Sequence, residues 1–266
     1  MSTRALNREK LSGGADALIV VTTCSRPDLL KRHLAGLRDK IRDLECADLL
    51  VAIDGLSVPG NQESLEAVRA LGVGALVAEH SEGVGVSKNR VVGQLGGYSH
   101  YFFLDDDVEV LSPTLFSDHM EISGSTGIHH FSLHDDSRLA QEMPSSELPD
   151  GRMIRHAMYG GAAVNYFTAH ALECVGGWHP AFAKLRRGGH TEHSYRVFRA
   201  GLAPAPFNFV EALAETCAWH NPPSVVSPKT AEVADTGVFQ LEEDLMAQEI
   251  DWHPFSASHP GTLVAH

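Results

Sequence analysis

Short apolar segments alternate with amphipathic ones along the first part of the chain. Ala17–Thr23 and Asp48–Gly55 are rich in aliphatic and β-branched side chains, which is typical of strands buried on both faces. After Pro27, aliphatic residues recur at spacings of four and three, which predicts an amphipathic helix. These residues are Leu30, Leu34, Leu37, Ile41 and Leu44. Strands that alternate with helices predict an α/β fold with a mostly parallel central sheet.

The alternation continues to the middle of the chain. NQESLEAVRALG predicts a helix that ends at a glycine, GALVAE predicts a third strand, and GVSKNRVVGQLGG predicts another helix. A fourth apolar run, His100–Leu104, leads directly into three acids, Asp105, Asp106 and Asp107. Because ligands gather at the carboxyl ends of strands in open parallel sheets, we expect these acids to line a cleft.

Beyond Val110 the pattern is less regular. STGIHHFSLHDD and MIRHAMYGGAAVNYFT are typical of extended segments, and the polar stretch Ser137–Arg152 predicts a loop. TAHALECVGG and TEHSYRVFRAGL predict short helices that end at glycines. The sequence shows no internal repeat or linker. We therefore expect one domain over residues 1–220, with halves at about 17–110 and 111–220, followed by a C-terminal extension over 221–266.

The composition is that of an ordinary globular protein. Of the 266 residues, 43% are hydrophobic and 21% are charged, which excludes the disordered and fibrous classes. The formal net charge of −13 argues against nucleic acid or an anionic membrane as the main partner, because both favour basic surfaces. No apolar run reaches membrane-spanning length, and the start lacks the apolar stretch of a signal peptide. The scattered cysteines include no CxxC pair and are typical of reduced thiols, so we expect a cytoplasmic protein.

The three consecutive acids predict a metal site. Clustered carboxylates at a strand end provide the oxygen ligands that a hard divalent cation prefers. Asp105 and Asp107 are two residues apart, so in an extended segment they share a side while Asp106 points elsewhere. A solvated acidic turn is the alternative interpretation. An apolar strand that delivers three acids to a cleft favours the metal site, because a cation would offset their mutual repulsion.

The first half contains VVTTCSRPDLLKRHLAGL, VAIDG, GVGVSKNRVV and YFFLDDDVEV, in this order. The second half contains GGAAVNYFTAHALECVGGWHPAF, RGGHTEHSYRVFRAGL and CAWH. The first set resembles the nucleotide-binding half of GT-A-fold glycosyltransferases, especially those of family 2. The second set resembles a run shared by polypeptide N-acetylgalactosaminyltransferases and family 2 relatives. The resemblance covers about Ala17–His220 and implies a GT-A fold, but it does not specify a sugar.

The resemblance implies nucleotide-binding roles for residues at several strand ends. Four residues after the first strand match a loop that lies along the nucleoside. They are Thr22, Thr23, Ser25 and Arg26. Asp54 matches an acid that commonly contacts the base or ribose, and Lys88 matches a basic stretch that reaches the base or the diphosphate. Arg26 also has a bland interpretation as an ordinary loop charge, and Lys88 as an exposed helix lysine.

The resemblance also implies a divalent cofactor, Mn²⁺ or Mg²⁺. Asp105 and Asp107 match the metal-binding DxD motif, and Asp106 matches a residue that holds the ribose or a metal-bound water. His220 in CAWH matches a late histidine that completes the metal shell in many relatives. The alternative for His220 is a histidine packed beside Trp219.

The segment GGHTEHS departs from the family pattern, which usually carries a Glu-Asp pair whose Asp deprotonates the acceptor hydroxyl. In this register His190 occupies the Asp position, and Glu192 follows two residues later at the start of a helix. Both residue types can act as a general base, and His needs less tuning to do so near neutral pH. Both are therefore candidate catalytic residues. Glu192 also suits a first-turn acid that favours the helix dipole.

Together these features imply a metal-dependent glycosyltransferase of hexosyl or N-acetylhexosaminyl type. It would move a sugar from a nucleoside diphosphate sugar, with UDP-sugars favoured, to an acceptor hydroxyl. One alternative is a module that binds a nucleotide sugar without turnover. A nucleotidyltransferase is less favoured, because TTCSRP does not resemble the glycine-rich phosphate loop of that class. The donor sugar, the acceptor, the stereochemistry and the oligomeric state, including a homo-oligomer, stay open.

The C-terminal extension begins with NPPSVVSP, where prolines predict a loop. VFQLEEDLMAQEI then predicts a helix with an apolar stripe along one side. The stripe consists of Val238, Leu241, Leu245 and Ile250. One interpretation is a helix docked on its own domain. The other is that the proline loop closes over the bound donor and the helix anchors this lid.

Overall fold

The structure is a computed structural model that describes residues 10–11, 14–41, 46–133, 140–161, 163–185, 188–220 and 243–264. The helices are α1 (Pro27–Ile41), α2 (Asn61–Ala70), α3 (Val84–Gln94), α4 (Thr114–Thr126), α5 (Ala169–Val175), α6 (Pro180–Leu185) and α7 (Gly189–Arg199). The strands of the first half are β1 (Ala17–Thr23), β2 (Ala47–Ile53), β3 (Gly74–Val77), β4 (His100–Asp105) and β5 (Val108–Val110). Those of the second half are β6 (His130–Leu133), β7 (Ala140–Glu147), β8 (Met153–Tyr159), β9 (Val164–Thr168), β10 (Phe207–Val210), β11 (Cys217–Trp219) and β12 (Thr262–Val264).

A seven-stranded sheet forms the centre of the molecule, in the order β12-β3-β2-β1-β4-β9-β6. The four strands β3, β2, β1 and β4 run parallel, whereas β12 and β9 run antiparallel to the strands they join. Every residue of β1 is buried, as its continuous apolar run predicts for a strand covered on both faces. The predicted α/β fold with a mostly parallel sheet is confirmed.

The register of the parallel strands brings their carboxyl ends to one edge. Thr22 of β1 lies opposite Asp105 of β4, and Thr23 lies opposite Ile53 of β2. Asp54 follows β2 directly, so it reaches the same edge. The helices that connect these strands bury their apolar stripes against the sheet, as Leu30 and Leu34 of α1 show. The fold thereby gathers side chains that are far apart in the sequence.

Two smaller sheets complete the second half. β10, β8 and β7 form an antiparallel sheet, and β11 pairs with β5. The loop predicted over Ser137–Arg152 is therefore wrong in part, because β7 occupies Ala140–Glu147. Its pairing with β8 shifts register between Met143 and Ser146, next to Pro144. A proline fits such an irregular edge strand, since it cannot donate a ladder hydrogen bond.

The described part of the C-terminal extension is integrated into the domain. β12 adds an antiparallel edge to β3, and Gln94 of α3 exchanges hydrogen bonds of 3.0 and 2.7 Å with the backbone of Gly261. Only residues 243–246 are helical there, so the predicted helix does not extend to Ile250. The proline loop, Val238 and Leu241 lie outside the described residues. No helix in the described ranges is long and apolar enough to cross a bilayer.

Candidate functional site

The acidic turn, defined here as Asp105, Asp106 and Asp107, lies where β4 ends. Asp105 is the last residue of β4, and its Oδ1 lies 3.5 Å from the Thr22 hydroxyl, at the limit of a hydrogen bond. The Thr23 hydroxyl donates a much shorter hydrogen bond, of 2.6 Å, to Asp106 Oδ2. The two threonines at the end of β1 therefore fix the position of the turn.

Arg26 joins the second and third acids of the turn. Its guanidinium forms an ion pair with Asp106 and a second one with Asp107, whose Oδ2 lies 3.1 Å from Arg26 Nη1. Asp105 instead lies within electrostatic reach of Lys88. The expected division, with Asp106 apart from the other two, is not observed, because the chain turns at Asp106 and strand alternation stops there. Arg26 is also more than an ordinary loop charge.

The acidic turn concentrates negative charge in a buried place. Asp106 and Asp107 are 1% and 5% exposed. Burial raises the pKa of Asp105 to about 6 and that of Asp106 to about 7, against the opposing effects of Lys88 and Arg26 respectively. Among the described residues, no donor forms a hydrogen bond with the buried Oδ1 of Asp107. The turn thus has a carboxylate oxygen that accepts no hydrogen bond from any described residue.

Lys88 of α3 is completely buried, so its interpretation as an exposed helix lysine is wrong. Its ammonium lies 5.5 Å from the ring centroids of both Phe103 and Trp178, which favours the cation through the ring faces. Its Nζ also lies 3.5 Å from Nδ1 of His190. Burial lowers the pKa of Lys88 to about 8, while Asp105 opposes that change.

The two candidate bases have different surroundings. His190, near the start of α7, is half-buried beside Lys88. Burial holds the pKa of His190 well below its ordinary value, and the positive charge of Lys88 lowers it further. Glu192 is 5% exposed, and its two oxygens accept hydrogen bonds of 2.6 and 2.9 Å from Arg196. Of the two candidates, His190 is therefore the one that contacts Lys88, the residue whose charge acts on Asp105.

The Glu192–Arg196 pair connects two helices. The Arg196 guanidinium also donates to the carbonyl oxygens of Val175 and of Gly177, the latter at 2.6 Å, and so binds α7 to the end of α5. Every oxygen of Glu192 and every branch of the guanidinium is engaged in this arrangement. Glu192 lies in the first turn of α7, as its alternative interpretation requires, and its ion pair with Arg196 gives it a role in helix packing.

The loop after β1 has a constrained backbone. Ser25 adopts a φ of 65°, in the left-handed region that few residues other than glycine favour. Its backbone N–H donates to Asn61 Oδ1 at 2.6 Å, and its hydroxyl donates to the Pro59 carbonyl oxygen at 2.9 Å. A strained backbone conformation of this kind persists only when surrounding contacts hold it in place, and such residues cluster at ligand sites. Ser25 is therefore presented in one conformation next to Arg26.

Asp54 anchors the loop that precedes α3. Its carboxylate accepts hydrogen bonds from the Ser81 hydroxyl at 2.7 Å and from the backbone N–H groups of Glu82 and Gly83 at 3.0 and 2.8 Å. Gly83 has a φ of 92°, which glycine adopts without strain. Asp54 thereby sets where α3 begins, and with it the position of Lys88. Its contact with a nucleotide stays a prediction.

The side chain of His220 contacts Glu109 and His33. His220 Nε2 lies 2.9 Å from Glu109 Oε2, and its ring stacks on that of His33 at a centroid distance of 4.9 Å. Only the backbone N–H of His220 reaches the turn, where it donates to the Asp107 carbonyl oxygen at 3.0 Å. The role of His220 as a ligand together with Asp105 and Asp107 stays a prediction.

The sequence interpretation missed three residues that shape this region. His33 is buried together with the apolar stripe of α1, one position before Leu34, but the predicted stripe included aliphatic residues alone. Glu109 follows the acidic turn by two residues and looks like a solvated charge. Arg196 follows Glu192 by four residues, a spacing that favours an ion pair on one helix face and was a usable signal.

Comparison with known proteins supports the fold. No family model matches the sequence, and no curated protein matches it. Solved structures do match, among them a mannosyltransferase and S. aureus TarS. The chain has a GT-A-like fold, with its mostly parallel sheet and its acids at the carboxyl edge.

The individual structures are distant in sequence. The mannosyltransferase PcManGT from Pyrobaculum calidifontis, solved with GDP-Man and Mn²⁺, is 11% identical with a TM-score of 0.52, over 71% of this chain and 53% of its own. S. aureus TarS 1-349 is 13% identical with a TM-score of 0.51, over 90% and 67% of the two chains. Its complex with UDP is 12% identical with a TM-score of 0.52, over 70% and 55%. The match thus covers about half of the mannosyltransferase, and likeness at this identity shows the fold alone.

Proposed function

We propose that this protein is a metal-dependent glycosyltransferase that moves a sugar from a nucleoside diphosphate sugar to an acceptor hydroxyl. One observation carries the proposal. A buried acidic turn, with one carboxylate oxygen of Asp107 unpaired, meets the cations Arg26 and Lys88 at the carboxyl edge of a parallel sheet. Ligands of open α/β sheets bind at this edge. A ligand that consists of an anion and a divalent cation fits this edge, because the acids can bind the cation and Arg26 and Lys88 can bind the anion.

The residues present fit a divalent cation. Asp105 and Asp107 would hold it, because carboxylate oxygens are the ligands that Mn²⁺ and Mg²⁺ prefer. No described residue pairs with Asp107 Oδ1, and burial raises the pKa of Asp105, so a cation would stabilise the ionised form of both side chains. When bound, the ion would supply charge neutralisation to a diphosphate leaving group.

The protein's own residues would bind and orient the donor. Lys88 is a buried cation that a diphosphate oxygen would attract, and Arg26 could exchange part of its contact with Asp107 for a phosphate. Thr22 and Thr23 keep the acidic turn in register, and the fixed backbone of Ser25 borders the same edge. The backbone of this edge is already positioned, so binding would require only that the side chains of Lys88 and Arg26 change partners.

His190 is the better candidate for the general base. Its lowered pKa keeps the imidazole neutral near pH 7, and a neutral imidazole can accept a proton. Its Nδ1 faces the Lys88 amine, so Lys88 would have to turn to the donor before Nδ1 could accept the acceptor's proton. Glu192 is a weaker candidate, because both its oxygens are already held in a buried ion pair with Arg196.

The ligands of the structural neighbours support the nature of the donor. The mannosyltransferase was solved with GDP-Man and Mn²⁺, and TarS 1-349 was solved with UDP. Both ligands contain a nucleoside diphosphate. UDP-sugars are the favoured donors for this chain, and transfer of a hexose or an N-acetylhexosamine is the favoured reaction.

The proposal is tested by measuring nucleoside diphosphate release from a panel of UDP- and GDP-sugars, with Mn²⁺, with Mg²⁺ and with a chelator. Release with metal, together with its loss in Asp105→Asn and Asp107→Asn, is the expected result. Asp39→Asn is the matched control, because Asp39 is an exposed acid of α1. Full turnover in chelator would contradict the proposal.

A module that binds a nucleotide sugar without turnover is the second candidate. The segment GGHTEHS favours it, because His190 stands where the resembled family carries its catalytic Asp, and the nearby Glu192 is held by Arg196. The same panel separates the two functions. Metal-dependent binding of a nucleotide sugar without release of the diphosphate, across several acceptors, would identify the module.

A further inference from the structure

Three side chains with metal-ligating atoms converge outside the proposed donor site. His33 comes from α1, Glu109 from the middle of β5, and His220 from the residue after β11. One ligand atom of each lies within 4.8 Å of the other two. Among the described residues, this is the group of three or more His, Cys, Asp or Glu side chains whose ligand atoms lie this close together. We refer to it as the triad.

His33 presents a nitrogen without a partner. Its Nδ1 lies 3.0 Å from the carbonyl oxygen of Asp106, and a carbonyl only accepts, so Nδ1 carries the proton. The lone pair is therefore on Nε2. His33 is only 6% exposed, and no described residue forms a hydrogen bond with the buried Nε2. A buried acceptor left unpaired costs free energy, and a metal ion satisfies it. A carbonyl on Nδ1 is also the usual support of a metal-binding histidine.

The other two members are set by strand pairing. β5 and β11 form an antiparallel pair in which Ala218 lies opposite Glu109. The ladder places His220 so that its Nε2 lies 2.9 Å from Glu109 Oε2, with its ring stacked on that of His33. The side chains of His220 and Glu109 are 41% and 44% exposed, so an ion bound there would keep positions open to water.

We propose that His33, Glu109 and His220 bind a divalent transition metal ion of the Zn²⁺ class, at a site separate from the acidic turn. Two imidazoles and one carboxylate form a donor set typical of Zn²⁺ sites, whereas Mg²⁺ prefers oxygen ligands alone. The proposal moves His220 from the diphosphate metal to a second ion. It does not depend on the proposed function, because it requires no nucleotide.

The triad is linked to the acidic turn through the backbone. His33 binds the carbonyl oxygen of Asp106, and the N–H of His220 binds that of Asp107. An ion that holds both histidines would therefore hold the two carbonyl groups on which the turn depends. The site has a structural role in this account: it supports the turn through its backbone carbonyl groups, whereas Arg26 contacts its carboxylates.

The test is Zn²⁺ binding by the chelator-treated full-length chain, measured by calorimetric titration without nucleotide. Glu109→Gln removes the charged ligand at an exposed position. His33→Asn keeps a donor for the Asp106 carbonyl oxygen but has no atom in the place of Nε2. Wild type should take up one equivalent of Zn²⁺. Each variant should bind it at least about tenfold more weakly, since loss of even an outer-shell partner weakens metal binding about 10- to 100-fold.

Two controls keep the result specific. The chain has 16 histidines, so His80→Asn, at an exposed position, measures unspecific uptake and should bind Zn²⁺ as wild type does. An excess of Mg²⁺ in the titration, which occupies oxygen-only sites, should also leave Zn²⁺ uptake by the triad unchanged, and this separates the proposal from the donor site. Equal affinity in wild type, Glu109→Gln and His33→Asn would overturn the proposal. So would a wild-type chain that takes up no Zn²⁺.

Discussion

Replacement of Lys88 by methionine should change the pH dependence of stability in a calculable way. The ammonium of Lys88 is fully buried, and burial lowers its pKa from 10.5 to about 8 despite the nearby carboxylate of Asp105. The folded chain therefore gives up this proton at a lower pH than the unfolded chain. Methionine has a similar length and no charge, so it can occupy the space over Phe103 and Trp178.

The sign and size of the effect follow from linkage. Between pH 8 and 10.5 the unfolded wild-type chain binds more protons at Lys88, so its free energy of unfolding should rise with pH over this range. One pKa unit corresponds to about 1.4 kcal/mol, so the full rise should be roughly 3 kcal/mol. Lys88→Met has no group to titrate there and should lack the rise.

Urea unfolding at closely spaced values from pH 7 to pH 10.5 measures the effect. The difference between wild type and Lys88→Met removes the contribution of other groups that titrate in this range. Lys31→Met, at an exposed position of α1, is the matched control and should follow the wild-type curve. Parallel curves for wild type and Lys88→Met would show that Lys88 does not titrate as a buried amine, and they would refute the reasoning.

Three further substitutions test the candidate base and the packing around it. His190→Ala should lower turnover by about 10²- to 10⁴-fold with the fold retained, and a rate within a few-fold of wild type would remove His190 as base. Glu192→Gln should leave its guanidinium partner buried without a counter-charge and lower the free energy of unfolding by about 3–5 kcal/mol in urea; an unchanged midpoint would contradict the pairing. Gly177→Ala should lower the melting temperature, because a Cβ there would overlap the side-chain amide of Asn89. Gly124→Ala in α4, where a Cβ meets nothing within 4 Å, should not lower it, and equal losses in both would argue against the overlap.

The parallel half of the fold was predictable because its signals are local. A strand buried on both faces is a continuous apolar run, and the predicted run Ala17–Thr23 has the same bounds as β1. The leucine spacing after Pro27 gave the helix that the structure shows over Pro27–Ile41. Each of these elements is specified by its own residues, whatever it packs against.

Edge strands were not predictable in the same way. β7 has the sequence AQEMPSSE, whose polar residues and proline indicate a loop, and it becomes a strand through its pairing with β8. β12 is three residues long and forms by adding to β3. In both cases a distant partner supplies the hydrogen bonds. Such pairing has no periodicity that a local pattern could show.

The candidate site likewise combines features with a local sequence signal and features that depend on long-range structure. The apolar run before Asp105 was enough to place acids at the carboxyl edge of the sheet. The contacts of those acids depend on the turn at Asp106, which redirects two of them to Arg26. The surroundings of His220 depend on the pairing of β11 with β5, which sets it beside Glu109. These arrangements arise from long-range structure, so residue types and spacing alone did not contain them.

The central claim is that the acidic turn binds a nucleoside diphosphate together with a divalent cation. The most direct measurement is the melting temperature of wild type and Asp105→Asn with UDP or GDP, each with Mn²⁺ and with a chelator. A ligand at 100 times its dissociation constant stabilises a fold by about 2.7 kcal/mol, which is readily detected as a shift in melting temperature. The account predicts a shift for wild type with nucleotide and Mn²⁺, larger with UDP than with GDP, and none in chelator or in Asp105→Asn. An equal shift in chelator, or no shift with either nucleotide, would contradict it.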